Sequence, residues 1–123
     1  MMNILMVGMG GAVGAVGRYL ISLMPGKTVF PVLTLVTNLL GAMLIGFIVG
    51  TSSAKGMQER WILFWKTGVC GGFTTFSTFS LEAVGLFEKG RYIYGSVYVA
   101  ASVCLCVAGV VIGRYAACRI WGK

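Results

Sequence analysis

The sequence predicts an all-α membrane protein with four transmembrane helices, the third of them broken near Gly71-Gly72. Three observations carry this. Of 123 residues, 58% are hydrophobic and only 11% are charged, against about 25% charged in soluble domains; the mean hydropathy is +0.90. The apolar residues fall in four long blocks divided by short polar stretches. The ten Lys and Arg stand singly between or at the ends of those blocks, where membrane-interface anchors belong. These features also exclude classes. A disordered chain needs low hydrophobicity and high charge. The net charge of +7 does not indicate nucleic acid, because a phosphate-binding surface clusters its basic residues. With no His, no Asp and only Glu59, Glu82 and Glu88 as acids, His- or Asp-ligated metal catalysis and Ser-His-Asp or Cys-His mechanisms are absent, and no enzyme is expected. The length suits one compact unit.

A bilayer core about 30 Å thick takes about 20 apolar residues as a helix. The first helix, about 4–24, holds one charge, Arg18, and ends at the turn signal Pro25-Gly26-Lys27. It lacks the basic start of a signal peptide, and its apolar run is too long for one. The second, about 31–50, has no charge and opens on Pro31, which suits a helix's first turn. The polar stretch from Thr51 to Arg60 reads as the longest loop. The third helix, about 61–87, is followed by the loop Glu88 to Arg91 and the fourth, about 92–115, which runs into a basic tail of Arg114, Arg119 and Lys123.

Four helices on short loops put both termini on one side. That side carries Lys55, Arg60, Lys66, Arg114, Arg119 and Lys123; the other carries Arg18, Lys27, Lys89 and Arg91. Six against four is a weak bias for a rule that orients by basic excess. The count leaves open a single topology and insertion both ways, the latter permitting an antiparallel homodimer. Gly10, Gly14 and Arg18 share one helix face, Gly8 and Ala12 another, and Gly46 and Gly50 repeat the four-residue spacing; such small residues let helices approach closely in lipid. Cys70, Cys104, Cys106 and Cys118 read as small hydrophobic residues rather than a disulfide framework.

The third block carries the chemistry. Between Thr67 and Glu82 stand Thr67, Thr74, Thr75, Ser77, Thr78 and Ser80, with Gly71-Gly72 at mid-membrane. Lipid satisfies no backbone polar group, so a helix breaks there only if the freed groups line a cavity or meet an ion. Freed carbonyls suit a hard cation. The alternative is a kinked continuous helix whose hydroxyls bond back to the preceding turn; the density of polar residues favours the break. Helical phase then puts Thr74, Thr78 and Glu82 on one stripe, and Phe76 and Phe79 on another face. Two such rings are ordinarily packing, but they also present positive edges to an anion. Asn38, near Thr34 and Thr37, offers two amide donors; bonding a neighbouring helix is its plainer use. Arg18 at membrane depth is costly and a functional candidate, unless it snorkels. Tyr94, Tyr98 and Ser102 form a further polar stripe. Donors outnumber acids inside the membrane, which favours an anion as the permeant species.

At these residues the chain resembles the Fluc (CrcB) family of fluoride ion channels over essentially its whole length. The likeness rests on Gly10 to Ala15 leading to Arg18-Tyr19, on Thr34 to Gly46 with Asn38 and Gly41, and on the run Gly71-Gly72-Phe73-Thr74-Thr75-Phe76-Ser77-Thr78-Phe79-Ser80. The resemblance implies a passive, fluoride-selective channel of the bacterial inner membrane that relieves fluoride toxicity. Fluoride entering as neutral hydrogen fluoride dissociates in the cytoplasm and leaves down its electrochemical gradient. It implies an antiparallel, dual-topology homodimer with two pores. It also implies a structural Na⁺ at the dimer interface, held by the backbone carbonyls of Gly71 and Thr74. Asn38, Phe76 and Phe79 match the residues lining the fluoride path, Arg18 the arginine near a vestibule, Tyr98 and Ser102 polar pore positions, and Thr78 and Glu82 a polar track. Cys106 departs from the pattern, since the next position on that stripe can hold a hydroxyl and a thiol is the weaker donor. Two rivals are weaker. A small multidrug exporter needs a carboxylate within the first helix, and this one has none. A purely structural subunit explains the glycines but not the concentration of Thr, Asn and Phe.

Overall fold

The computed structural model describes residues 1–122 and is helical throughout; Lys123, counted above in the basic tail, lies outside the described residues. Helix α1 (Met2–Ser22) leads through an irregular stretch, 23–31, to α2 (Val32–Lys55). The third pass begins with α3 (Glu59–Ile62), winds as a π-helix over Leu63–Cys70 and closes with α4 (Gly71–Phe73). It resumes as α5 (Phe76–Glu88), and α6 (Tyr92–Trp121) is the fourth pass. By length and composition α1, α2 and α6 each suffice to cross a membrane; the interrupted third pass completes a four-pass arrangement.

Two boundaries differ from the sequence expectation. The stretch from Thr51 to Lys55 is helical, so the longest connection is 23–31 instead. The far end of the chain packs against this stretch. Trp121 Nε1 donates to Thr51 Oγ1 at 2.9 Å, and Lys55 Nζ lies 3.9 Å from the Trp121 ring centroid. This cross-link carries α2 and α6 each a turn or more beyond their apolar blocks, and α6 ends only at Gly122, left-handed at φ 70°.

Glycine sets which helices meet. A Cβ at Gly10 would overlap the Phe64 carbonyl, and one at Gly14 would overlap the Val69 carbonyl, so α1 lies backbone to backbone on the third pass. Gly46 and Gly113 play the same part between α2 and α6, against Val110 and Met43 respectively. Close approach of small residues is what drives helix association where lipid removes the hydrophobic gain. Gly8, by contrast, has open space around it; that face of α1 is not packed within this chain. One buried hydrophobic cluster, Phe79, Ala83, Leu86 and Tyr98, lies between α5 and α6, with Phe30, Leu35 and Val99 against it. Many large apolar side chains face outward, Leu81, Ile93 and Val107 among them, as lipid-facing helices require.

The break falls at Thr74 and Thr75, which are extended (φ −83°, ψ 156° and φ −148°, ψ 114°), just after Gly71-Gly72. The glycine pair itself stays helical. Gly72 serves close packing, since a Cβ there would overlap the Gly11 carbonyl. The Thr74 amide still closes the last helical turn on the Cys70 carbonyl at 3.0 Å, and a side chain from α2, Asn38, meets the backbone of Thr75. Thr75 caps α5, its hydroxyl accepting from Thr78 N at 3.1 Å.

Candidate functional site

The break is held from two other helices. Asn38 on α2 grips Thr75 at both backbone groups. Its Nδ2 donates to the Thr75 carbonyl at 3.1 Å, and its Oδ1 accepts from Thr75 N at 2.8 Å. One Nδ2 proton remains for the cavity that Asn38 lines. Arg18 on α1 donates from Nε to the Gly72 carbonyl at 3.1 Å. That places a cation at a helix C-terminus, where freed carbonyls carry partial negative charge. Thr74 Oγ1 donates back to the Cys70 carbonyl at 2.8 Å.

The residues singled out from sequence divide chiefly among two cavities and one hydrogen-bonded pair. The larger cavity, about 450 Å³, brings together Asn38, Gly71, Thr74, Phe76, Phe79 and Ser102. A smaller one, about 70 Å³, holds Arg18 and Thr78 with Thr34 and Thr37. Thr75 lines both. Glu82 and Tyr98 line neither; the Tyr98 hydroxyl donates to Glu82 Oε1 at 2.9 Å, and Tyr98 is fully buried. Thr74 does not share a stripe with Thr78 and Glu82. The two extended residues reset the helical phase, which leaves Thr74 on the larger cavity and Thr78 on the smaller. On the continuous α6, Tyr94 keeps the four-residue spacing to Tyr98 and Ser102 but sits at the outer end of that stripe. It is 45% exposed and lies edge-on to Phe30.

Three features of the larger cavity bear on an anion. No Glu lines it. Ser102 is 7% exposed, and its hydroxyl has no hydrogen-bond partner among the described residues. A buried hydroxyl left unpaired costs about 1–3 kcal/mol, so a ligand there recovers stabilisation. Phe76 and Phe79 stand with ring centroids 5.4 Å apart, and Phe79 lies 5.1 Å from Tyr98. Phe30 packs edge-on to Tyr98 at 5.5 Å, extending the aromatic column. The sequence reading missed Phe30, which no local pattern marks, and the cap role of Thr75, which its place just before Phe76 could have signalled.

The Na⁺ site can be tested against the main chain. The amides that would close a helical turn onto the Gly71 and Thr74 carbonyls are those of Thr75 and Thr78. Both are taken by side chains, Asn38 Oδ1 and Thr75 Oγ1. Gly71 and Thr74 both line the larger cavity, and carbonyl oxygens relieved of their helical amides are the kind of ligand a hard cation takes, though one chain offers only two of them. No cluster of three His, Cys, Asp or Glu exists among the described residues.

The family described as CrcB-like protein, Camphor Resistance (CrcB), matches residues 5–114. Among curated relatives, the fluoride-specific ion channel FluC of Ruminiclostridium cellulolyticum is 44% identical over 118 residues, covering 93% of this chain and 91% of that protein. Those of Granulibacter bethesdensis and Methanococcus maripaludis are 43% and 39% identical, over 94% and 98% of this chain and 94% and 100% of their own lengths. With a family match over nearly all of the sequence, relatives aligned end to end, and helices built to cross a bilayer, the chain belongs to the CrcB family of multi-pass membrane proteins.

Proposed function

We propose that this chain is a fluoride-selective channel, not an enzyme, that lets fluoride leave the cytoplasm passively across the cell's inner membrane. The observation that carries the reading is an acid-free cavity lined both by Ser102, whose buried hydroxyl is unpartnered among the described residues, and by Asn38 with its spare amide proton. Fluoride is small and strongly hydrated. A pore that strips its water must return hydrogen bonds, which Ser102 and Asn38 donate, and positive ring edges, which Phe76 and Phe79 present. Thr75, shared by both cavities, connects the Arg18 and Thr78 side to the Ser102 side.

The working unit is an antiparallel homodimer with two pores. Phe76, 79% exposed, and the open surface over Gly71 support a second copy against the break. Na⁺ on the Gly71 and Thr74 carbonyls would satisfy oxygens that lipid leaves bare. In this scheme Asn38 and Arg18 hold the break in shape, and Tyr98 keeps Glu82 hydrogen-bonded behind Phe79 and out of the ion's way.

The test is release of fluoride from liposomes holding only this protein and a cation ionophore. Fast fluoride loss with chloride retained is expected. Equal chloride release, or release that needs an imposed proton gradient, contradicts a fluoride channel. Phe76→Ile and Phe79→Ile are each expected to lower the flux, the double variant most, because isoleucine fills space without a positive edge. Phe76 is the cleaner probe. Within one subunit its exposure limits the loss to the single ring contact with Phe79, whereas Phe79, 8% exposed, gives up contacts with both Phe76 and Tyr98, at about 1 kcal/mol each. Normal flux in both single variants assigns the rings to packing alone.

A further inference from the structure

Lys66 also lines the larger cavity. It sits on the π-helical stretch between α3 and α4, exposed, one helical turn or so before Cys70. The three walls run in one register. Lys66, Cys70 and Thr74 follow one another on the third pass; Ile45, Ala42 and Asn38 on α2; Val110, Cys106 and Ser102 on α6. Lys66 with Ile45 and Val110 therefore marks one end of the cavity, and Asn38 with Ser102 the other. At 1.5 Å per helical residue the two ends are about 10–12 Å apart. Between them the wall is mostly apolar, with Ala42, Val103 and Val107. The other membrane-depth cation, Arg18, faces the smaller cavity and is held on the Gly72 carbonyl.

We infer that Lys66 is the entrance cation of the larger cavity, drawing the permeant anion into its apolar throat and toward Asn38 and Ser102. This rests on the fluoride-channel reading and adds a residue to it. A charge in a low-dielectric cleft with no opposing acid focuses its field along the cleft and raises the local concentration of the opposite ion. The competing role is that of an interface anchor, with the ammonium snorkelling to the headgroups. The two roles separate by measurement. An anchor changes insertion or thermal stability. An entrance charge changes how flux depends on fluoride concentration and on ionic strength.

The experiment reconstitutes the full chain, Lys66→Gln and Lys66→Arg in parallel. Flux is measured over a range of fluoride concentrations, in about 0.01 M and about 1 M of a salt with an impermeant organic anion. Those salts set screening lengths of about 30 Å and about 3 Å. At low salt K66Q is expected to need on the order of tenfold more fluoride for half-maximal flux, the lower end of steering effects, with its plateau kept. At high salt the difference collapses, and K66R follows the parent at both. Should K66Q not reconstitute, K66M, with a comparable apolar stem, carries the same test. Unchanged concentration dependence in K66Q at low salt overturns the inference while leaving the channel reading intact. A loss equal at every salt and fluoride concentration assigns Lys66 to anchoring. A parent protein that moves no fluoride defeats the channel reading itself.

Discussion

Asn38→Asp is expected to abolish fluoride flux and to loosen the break in the third pass. Asn38 Oδ1 accepts from Thr75 N and Nδ2 donates to the Thr75 carbonyl. An ionised aspartate keeps the first bond, loses the second, and turns an oxygen toward another oxygen. It also sets a negative charge in the cavity the anion must enter. Asn38→Ala separates the two effects. It removes both bonds without adding charge and leaves an N–H and a C=O unpaired at membrane depth, at about 1–3 kcal/mol each. Flux from liposomes and thermal unfolding in detergent read the outcomes. The expected order of stability is parent, then aspartate, then alanine, with flux lost in both variants. An aspartate variant with normal flux and an unaltered unfolding temperature would show that Asn38 neither faces the ion nor holds the break.

That prediction also marks where sequence reading stops. The four passes were legible because membrane thickness fixes helix length and lipid forbids unpaired backbone, so apolar blocks translate directly into spans. A break in the third pass was legible from the density of Thr and Ser after Gly71-Gly72. Its placement at Thr74 and Thr75 was not. It depends on Asn38, distant in sequence by the length of α2 and the third pass's first half, reaching across to take the Thr75 amide. Once the break moved, the Thr74–Thr78–Glu82 stripe dissolved, since helical phase does not carry through two extended residues. The end of α2 was misread for a similar reason. Thr51 to Lys55 is polar enough for a loop, and its contacts with Trp121, brought back by the fourth pass, are not visible in the local sequence. Ser102 was singled out by its four-residue spacing from Tyr98, but spacing alone does not reveal that Tyr98 has a partner in Glu82 while Ser102 has none.

Gly71→Ala and Gly72→Ala are expected to fail in opposite ways, although the two glycines are adjacent and both helical. A Cβ on Gly72 would overlap the Gly11 carbonyl and lie 3.1 Å from Ala15 N. Both are backbone atoms of α1, which cannot rotate aside. Relief requires α1 to move off the third pass, undoing the contacts of Gly10 and Gly14 and stretching the Arg18 bond to the Gly72 carbonyl. Overpacking of this kind costs about 1–3 kcal/mol and more when the backbone must shift, so G72A is expected to unfold at markedly lower temperature and to lose flux with its fold. Gly71 has no atom within 4 Å of its Cβ position, and as a C-cap its φ is −63°. Within one chain alanine fits there and gains up to about 1 kcal/mol of helix propensity. G71A is therefore expected to keep the fold of each subunit. A loss of flux in it has three sources to separate: the methyl entering the cavity that Gly71 lines, a second copy resting on Gly71, or the proposed Na⁺ on its carbonyl. Crosslinking yield and flux, measured on the same G71A sample in Na⁺ and in a bulky organic cation, tell these apart. A fall in crosslinked dimer points to subunit contact at the break. A kept dimer with flux lost in the bulky cation alone points to the ion, and a kept dimer with flux lost equally in both points to the methyl in the cavity. Full flux and full crosslinking in G71A would leave both the partner and the cation without support at that wall.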